Sequence, residues 1–308
     1  MLRIERVGIT TVQDIGRRGL AHLGVPTSGA ADRASYLLAN RLAGNAPSAA
    51  MFETSGGLSF TALDDVDVVV TGAECDAAIG SRPAAHYAPM LLRAGETFNV
   101  TRVREGVRAY VAVSGGIVGT PILGSLSHDT LSGIVPVALH AGASLRVGVA
   151  VSAPSSLDAP VRPDRLQSLR VSPGPHRDLV GSAAVDDTLR GTFRVSESSD
   201  RIGVRMRGAG DPITHGAGVS LARDIFSLPS VPLVRGAVQL TPSGELVVML
   251  ADHPTTGGYP VIAVAHPDDV DRLAQTAANA TLTLAWSQCC GGDDGTRTHD
   301  PLLAKQVL

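Results

Sequence analysis

Polar residues that could take part in chemistry are concentrated near the start of the chain, in the stretch TTVQDIGRRGLAHLGVPTSGAAD at positions 10–32. A helix does not tolerate this density of glycine and proline, and a plain strand does not need it. We therefore predict a long ordered loop, called here the opening loop, that presents polar side chains at fixed points. A plain surface loop is the alternative, since glycine and proline clusters mostly mark turns. The polar side chains of the opening loop include Gln13, Asp14, Arg17, His22 and Ser28.

A second polar group follows the apolar run ELVVML, in the stretch LADHPTTGGYP at positions 250–260. Asp252 and His253 could form an acid/base pair, because imidazole titrates close to neutral pH. Gln239, on the preceding predicted strand, could project toward the same rim. A hairpin loop without a chemical role is the alternative. Hydrogen-bond donors for a developing oxyanion, followed by a flat aromatic wall, could come from Thr255, Thr256, Gly257, Gly258 and Tyr259.

Two arginines stand four positions apart in the stretch SESSDRIGVRMR at positions 196–207. In a strand, Arg201 and Arg205 would point to the same face, because the side-chain period of a strand is two. Two guanidinium groups on one face could bind a carboxylate, a phosphate or a carbamate-like group. A solvated barrel face is the alternative explanation for this pair.

Several familiar site types are missing from the sequence. Lys305 is the single lysine among 26 basic residues, so the body of the chain has no phosphate-loop lysine and no lysine for a Schiff base. No CxxC pair or HExxH helix is present, and we expect no metal site. The net charge of −3 argues against nucleic acid and membrane surfaces as partners. Without a long apolar run or a signal peptide, we expect a cytoplasmic protein.

Short strand-like runs dominate both halves of the chain, which predicts an all-β protein with one or two short helices per half. Helices are predicted at 32–42, with Asp32 as the N-cap, and at 267–278. The Ser-, Ala- and Pro-rich stretch 151–165 is the best candidate for a linker between the halves. The predicted domains are residues 1–155 and 156–288, and the predicted poorly ordered, non-native tail is 289–308.

At these same stretches the chain closely resembles the biotin-dependent carboxyltransferase family, which includes allophanate hydrolase subunit 2, KipA and the C component of 5-oxoprolinase. The motifs that carry the resemblance are the opening loop, SPGPH, SDRIGVRMRG, RGAVQLTPSGE and LADHPTTGGYP. They occur in the family's order from about Leu2 to Trp286. The resemblance implies two cyclophilin-like β-barrel domains, in agreement with the strand-rich halves.

The resemblance implies three activities. In the first, the chain is a subunit of an ATP-dependent 5-oxoprolinase, which opens 5-oxoproline to glutamate with a KipI-like and a LamB/YcsF-type subunit. In the second, it moves carboxyl from carboxybiotin to urea or another amide. In the third, it is a KipA-like regulatory module that binds a KipI-like partner without catalysis. We favour the first and expect this chain itself to bind no cofactor.

Under the oxoprolinase interpretation, Arg201 and Arg205 orient the substrate carboxylate. His22, Asp252 or His253 would handle protons. The lactam would be polarised by Gln13, Gln239 and the amides of 255–258, and the other substrate-binding candidates are Asp14, Arg17, Ser28 and Tyr259. One departure from the family pattern lies in GSLSHDTLSG, where Leu126 and His128 replace a common Arg and Thr. We expect this change to alter specificity if that Arg contacts substrate.

Overall fold

A computed structural model describes residues 1–156, 165–209 and 228–287 of the 308-residue chain. Strands predominate in this part. The strands of the first half are β1 (Leu2–Arg6), β2 (Thr10–Gln13), β3 (Met51–Thr54), β4 (Leu58–Ala62), β5 (Val66–Ile79), β6 (Arg82–Pro83), β7 (Met90–Leu92), β8 (Thr97–Val113), β9 (Ile117–Val118) and β10 (Ser144–Val147). The strands of the second half are β11 (Ser168–Pro173), β12 (Thr192–Val195), β13 (Gly203–Gly208), β14 (Val231–Pro232), β15 (Ala237–Leu240), β16 (Leu246–Met249), β17 (Thr256–Gly257), β18 (Val261–Ala265) and β19 (Thr281–Trp286).

The first half is a half-barrel built around the long strand β8. Its main strand order is β2-β3-β8-β4-β1-β10-β9, with β5 paired along most of β8. Register shifts in the β5–β8 pair begin at Gly72 and allow these strands to bend. A Cβ atom on Gly106, which has a φ of 90°, would lie 2.9 Å from the Cβ atom of Ala73. Glycine is therefore required where the bent strands approach each other.

The second half is a closed barrel of seven strands, in the order β11-β18-β15-β16-β13-β12-β19. It closes because β11 pairs with β18 on one side and, in parallel, with β19 on the other. Closure leaves no free strand edge in this barrel. Strands β14 and β17 form a separate two-stranded ribbon beside it. The predicted all-β chain of two barrel-like halves is confirmed.

Each half has its own apolar core, because alternate side chains of every strand point inward. The first core contains a row of aromatic rings, in which Phe52 stacks on Phe60 with centroids 5.4 Å apart and Phe98 is tilted against Phe60 at 5.3 Å. Aliphatic side chains fill most of the second core, among them Val171, Met206, Val238 and Ile262. Ala31 at the end of the opening loop also packs into this second core. The opening loop therefore ties the two halves together.

Four α-helices are described, namely α1 (Arg33–Leu42), α2 (Arg177–Val180), α3 (Ser182–Leu189) and α4 (Pro267–Leu273). The predicted N-cap of α1 is confirmed, since the Asp32 carboxylate accepts a 2.9 Å hydrogen bond from the Ser35 amide. Helix α4 is shorter than predicted. Helices α2 and α3 were not predicted, so the second half has more helix than expected.

Two predictions about domain limits remain untested by the structure. The expected tail at 289–308 lies outside the described residues, and the predicted linker overlaps residues 157–164, which are also outside them. The boundary at 155/156 therefore stays a prediction. Among the described residues, no helix has the length and apolar character needed to cross a membrane.

Candidate functional site at the junction of the two halves

The opening loop folds back on itself between β2 and α1. The Arg17 amide donates to the Thr27 carbonyl at 2.7 Å, and the Ala30 amide donates to the Asp14 carbonyl at 3.0 Å. Gly16 has a φ of 83°, and a Cβ atom there would lie 2.4 Å from the Thr27 carbonyl oxygen. Glycine is therefore needed at position 16 so that the two arms of the opening loop can approach each other, in agreement with the predicted ordered loop.

Asp14 fastens the opening loop to the loop 122–130. Its carboxylate accepts hydrogen bonds of 2.6 Å from the Ser125 and Ser127 hydroxyls and from the Leu126 amide. The Gly16 amide donates a further bond of 2.8 Å to the same carboxylate. With these donors in place, Asp14 positions the loop rather than offering a free carboxylate to a ligand.

Arg17 and Gln13 reach the same neighbouring loop. The buried Arg17 guanidinium donates to the carbonyls of Ile122, at 3.1 Å, and Ser127. The Gln13 side-chain amide donates to the His128 carbonyl at 3.0 Å. The structure thus brings together the opening loop and the loop 122–130 that carries His128.

Three polar atoms of the opening loop are buried without a hydrogen-bond partner in the described part of the chain. They are Gln13 Oε1, Arg17 Nη1 and Ser28 Oγ. Buried polar atoms in folded proteins are nearly always paired, so each unpaired one needs an explanation. These atoms are available to a ligand or to ordered water. The opening loop therefore remains part of the candidate site.

Arg201 joins the two halves through buried ion pairs. Its guanidinium donates to both oxygens of Asp252, at 2.9 and 3.0 Å, and to the Glu53 carboxylate on β3. It also donates to the Gly29 carbonyl at 2.6 Å. Asp252 is fully buried, and Glu53 is 4 % exposed. These buried charges are stable only because they are paired and hydrogen-bonded.

The ion pairs control the protonation of this group. Burial raises the pKa of Glu53, but the charges of Arg201 and Arg108, together with hydrogen bonds from the Ala31 amide and Tyr110, bring the net pKa below its ordinary value. Burial lowers the pKa of Arg201, and Glu53 and Asp252 raise it by more, so the net pKa is raised. Near neutral pH Glu53 and Arg201 are therefore both ionised.

The prediction that Arg201 and Arg205 share one strand face is wrong. Strand β13 begins at Gly203, so Arg201 lies in the bend before it and turns into the junction. Arg205 lies within β13 and points outward, where its side chain is exposed. The premise for a two-arginine carboxylate site is therefore absent, and Arg201 is occupied by carboxylates of this chain.

Asp252 is also better described as an anchor than as a proton carrier. Besides its two bonds from Arg201, its carboxylate accepts from the Thr130 amide at 3.0 Å and the Thr130 hydroxyl at 2.7 Å. These four bonds leave the carboxylate fully engaged within this chain. Asp252 thus joins the second half to the loop 122–130 and fixes the position of the residue that follows it.

His253 is the proton-handling candidate whose geometry fits best. It is 7 % exposed, and its Nδ1 lies 2.8 Å from the Pro254 carbonyl oxygen. A carbonyl can only accept, so Nδ1 carries the hydrogen and Nε2 keeps its lone pair. Burial is the main cause that lowers the pKa of His253, and the positive charges of Arg235 and Arg33 add to it. His253 is therefore neutral near pH 7 and able to accept a proton at Nε2.

The predicted donor stretch after His253 lies beside Gln239, as expected. The Gln239 side-chain amide donates to the Tyr259 carbonyl at 3.3 Å, and a Cβ atom on Gly257 would lie 2.8 Å from Gln239 Nε2. The Thr255 carbonyl accepts from the Leu233 amide at 2.9 Å, and Thr256 and Gly257 form β17 of the two-stranded ribbon. Gly258 follows β17, and Tyr259 is 43 % exposed. No hydrogen bond among the described residues links this stretch to the opening loop.

His22 lies apart from the junction. It is exposed within a short 3₁₀ helix, Ala21–Leu23, at the tip of the opening loop. Among the described residues it has no hydrogen bond or ion pair. The structure does not bring it to Asp252 or His253, so its predicted share in proton handling has no geometric support.

Several junction residues were not predicted from the sequence. Glu53 is the acidic residue of the otherwise apolar-rich buried strand MFET, and a buried acidic residue is a signal that the sequence does offer. Tyr110 donates to Glu53 at 2.8 Å and accepts from the Asp32 amide at 2.7 Å. The Gln275 side chain hydrogen-bonds Asp32 and the backbone of Val107 and Arg108. Their roles depend on contacts between distant parts of the chain.

These features describe an all-β protein of two barrel-like halves with a polar site built at their junction. The family model described as "Carboxyltransferase domain, subdomain A and B" matches residues 23–286. This chain belongs to that family.

Similar proteins have two kinds of names. The Escherichia coli protein named as the C component of 5-oxoprolinase is 33% identical over 89% of this chain and 87% of its own length, and that of Haemophilus influenzae is 30% identical over 88% and 86%. "Urea amidolyase" of Lachancea kluyveri is 29% identical over 86% of this chain but only 16% of its own length.

Solved structures show the same fold. The crystal structure of TTHA0988 matches with a TM-score of 0.75 and 31% identity, covering 92% of this chain and 99% of that one. The crystal structure of the K. lactis urea amidolyase matches with a TM-score of 0.81 and 23% identity, covering 93% of this chain and 19% of that one. The second likeness is evidence for the fold alone.

Proposed function

We propose that this chain is a subunit of an ATP-dependent 5-oxoprolinase complex, which opens the lactam ring of 5-oxoproline to give glutamate. The observation that carries the proposal is the near end-to-end match to the E. coli protein named as a 5-oxoprolinase component, at 33% identity. The urea amidolyases align over about the same share of this chain but over only a small part of their own length. The match therefore favours a 5-oxoprolinase component over a part of a urea amidolyase.

The junction offers groups that suit lactam chemistry. Water that attacks a ring carbonyl must lose a proton, and a neutral imidazole with a free Nε2 can accept it. His253 meets this requirement. Asp252, clamped by Arg201, holds the start of the loop that carries His253. The lactam oxygen would be polarised by side-chain amides and backbone N–H groups, with Gln13 and the stretch 255–258 as candidates.

The rest of the reaction would depend on partners. We propose a KipI-like subunit and a LamB/YcsF-type subunit as the other members of the complex, with ATP used by the assembly. We expect this assembly to be cytoplasmic. The steps proposed for this chain need only its own side chains and backbone N–H groups.

Carboxyl transfer is a second candidate, favoured by the family description itself and by the urea amidolyase relatives. Covalent biotin requires a lysine, and the single lysine is Lys305, outside the described residues. Carboxybiotin would therefore have to reach the site from outside the described residues. A KipA-like regulatory role, with partner binding and no turnover, is the remaining alternative.

One reconstitution separates these functions. The chain is co-expressed with its KipI-like and LamB/YcsF-type partners, and glutamate formed from 5-oxoproline is measured with and without ATP. Omission of this chain should abolish ATP-dependent glutamate release. Turnover that is equal without the chain would contradict the proposal, and partner binding without any effect on turnover would favour regulation. Urea with a carboxybiotin donor is assayed in parallel, and carboxylated urea without glutamate release would favour carboxyl transfer.

A further inference from the structure

Two arginines from opposite halves meet at one carboxylate near His253. The backbone amide of Arg33, the first residue of α1, donates to Asp271 Oδ1 at 3.0 Å. The Arg235 guanidinium donates to the same oxygen at 2.7 Å and to the Ala31 carbonyl at 2.5 Å. This group lies where the opening loop, α1 and α4 come together.

Donor groups of these arginines remain unused. The Arg33 side chain makes no hydrogen bond or ion pair with any described residue, although it is half-buried. Arg235 Nε is buried without a partner in the same part of the chain. Arg235 as a whole is well enclosed, since its side chain is 12% exposed. Guanidinium donors left unpaired in a partly buried place are costly unless something else binds them.

The local charge is positive. Burial is the first cause that lowers the pKa of Arg33 to about 10, and the nearby charges of Arg235 and Arg18 lower it further, with Asp271 in partial compensation. The positive end of the α1 dipole adds to this excess. The carboxylates of Asp32, the N-cap of α1, and Asp271 offset part of this positive charge, and a bound anion would relieve more of the repulsion between the arginines.

The arginines also lie close to the proposed base. The Leu233 amide donates to the Thr255 carbonyl at 2.9 Å, so the segment that leads into Arg235 lies beside the loop that carries His253. The charges of Arg235 and Arg33 both lower the pKa of His253. Arg201 cannot serve the same purpose, because its donors already bind Glu53, Asp252 and the Gly29 carbonyl. Arg205 is exposed on another surface.

We propose that Arg33, supported by Arg235, binds the carboxylate of the substrate and holds the lactam ring next to His253. The proposal rests on the proposed function and assigns to it the residues that select a carboxylated lactam. A planar guanidinium matches a carboxylate with two parallel hydrogen bonds, which fixes orientation as well as charge. Arg33 is then a specificity-determining residue.

The test compares 5-oxoproline with 2-pyrrolidinone, which has the same ring without the carboxylate. In the reconstituted complex, Arg33→Gln should raise KM for 5-oxoproline by about 10- to 100-fold, while kcat changes by less than about threefold. This pattern is expected when a charged hydrogen bond that acts in substrate binding is lost. The KM of Arg33→Lys for 5-oxoproline should lie between those of wild type and Arg33→Gln. The kcat/KM for 2-pyrrolidinone should be the same in wild type and Arg33→Gln, a result that a merely structural role would not give.

Arg146→Gln is the matched control, because the Arg146 side chain is exposed on β10 and has no hydrogen-bond or ion-pair partner among the described residues. Arg146→Gln should leave kcat and KM for 5-oxoproline and kcat/KM for 2-pyrrolidinone unchanged. An unchanged KM for 5-oxoproline in an active Arg33→Gln complex would overturn the carboxylate assignment while leaving the oxoprolinase function intact.

A second measurement separates the two proposals if the complex shows no turnover. Thermal protection of the isolated full-length chain is measured with 5-oxoproline, glutamate and 2-pyrrolidinone. Protection by the two carboxylates that is lost in Arg33→Gln would support an anion site even though the oxoprolinase function had failed. Equal protection of wild type and Arg33→Gln would overturn the anion site as well.

Discussion

Replacement of Arg201 by methionine should strongly destabilise the folded chain. Methionine keeps much of the side-chain volume, so the main effect is loss of charge and hydrogen bonds. Asp252 would remain fully buried with only Thr130 as a donor, and Glu53 would keep Tyr110, the Ala31 amide and Arg108, whose Nε lies 3.5 Å away. Asp252 thus loses its ion-pair partner, while Glu53 retains one.

The size of this effect follows from the burial of the pair. Breaking a buried ion pair by removing one partner costs about 3–5 kcal/mol, because the remaining charge is left uncompensated. We therefore expect Arg201→Met to lower the free energy of unfolding by about 4 kcal/mol. The melting temperature should fall by roughly 10 °C.

The assay is urea denaturation followed by circular dichroism, with Arg205→Met as the matched control. Arg205 is exposed, so its replacement should change the unfolding free energy by less than about 0.5 kcal/mol. Adding Asp252→Asn to Arg201→Met should recover part of the loss, since it removes the carboxylate that has lost its ion-pair partner. If Arg201→Met loses no more unfolding free energy than Arg205→Met, the buried ion pairs of Arg201 do not stabilise the fold as proposed.

Two further predictions concern the loop and the pH dependence. Gly16→Ala should destabilise the chain more than Gly19→Ala by about 1–3 kcal/mol in urea denaturation. Both glycines have φ near 80°, but only a Cβ atom at position 16 would collide with the Thr27 carbonyl. Equal losses would argue against this close approach. Stability should fall as pH drops from about 7.5 to about 5.5, because His253 has a lowered pKa when folded and the unfolded chain binds the proton first. The drop in the urea midpoint should be smaller in His253→Gln, and an unchanged drop would show that His253 is not the cause.

Much of the fold follows from local sequence patterns. Alternating apolar runs such as TLTLAW and VIAVA specify strands, and Asp32 before an apolar helical period specifies the start of α1. Helices α2 and α3 were missed because they are short and Gly181 separates them, so neither shows a long apolar period. Local patterns thus predict the long elements better than the short ones.

The site was only partly predictable because its contacts join distant positions. The stretch around Asp252 and the opening loop carry visible polar patterns, and the structure connects them through Arg201. Glu53 lies 148 positions from its partner Arg201, and no local spacing reveals that pair. The Arg201/Arg205 prediction failed because it assumed that the strand began two residues earlier than β13 does. Because β13 begins only at Gly203, the Arg201 side chain points into the junction and not along the strand face of Arg205.

The junction beside His253 is, in the proposed function, where the substrate is processed. Glutamate release by the reconstituted complex with His253→Gln tests this claim most directly, with His140→Gln as the control because His140 is exposed in the loop before β10. Loss of a general base should lower kcat by about 10²- to 10⁴-fold with the fold and the complex intact, while His140→Gln keeps the wild-type rate. Wild-type kcat in His253→Gln would contradict this role of the junction.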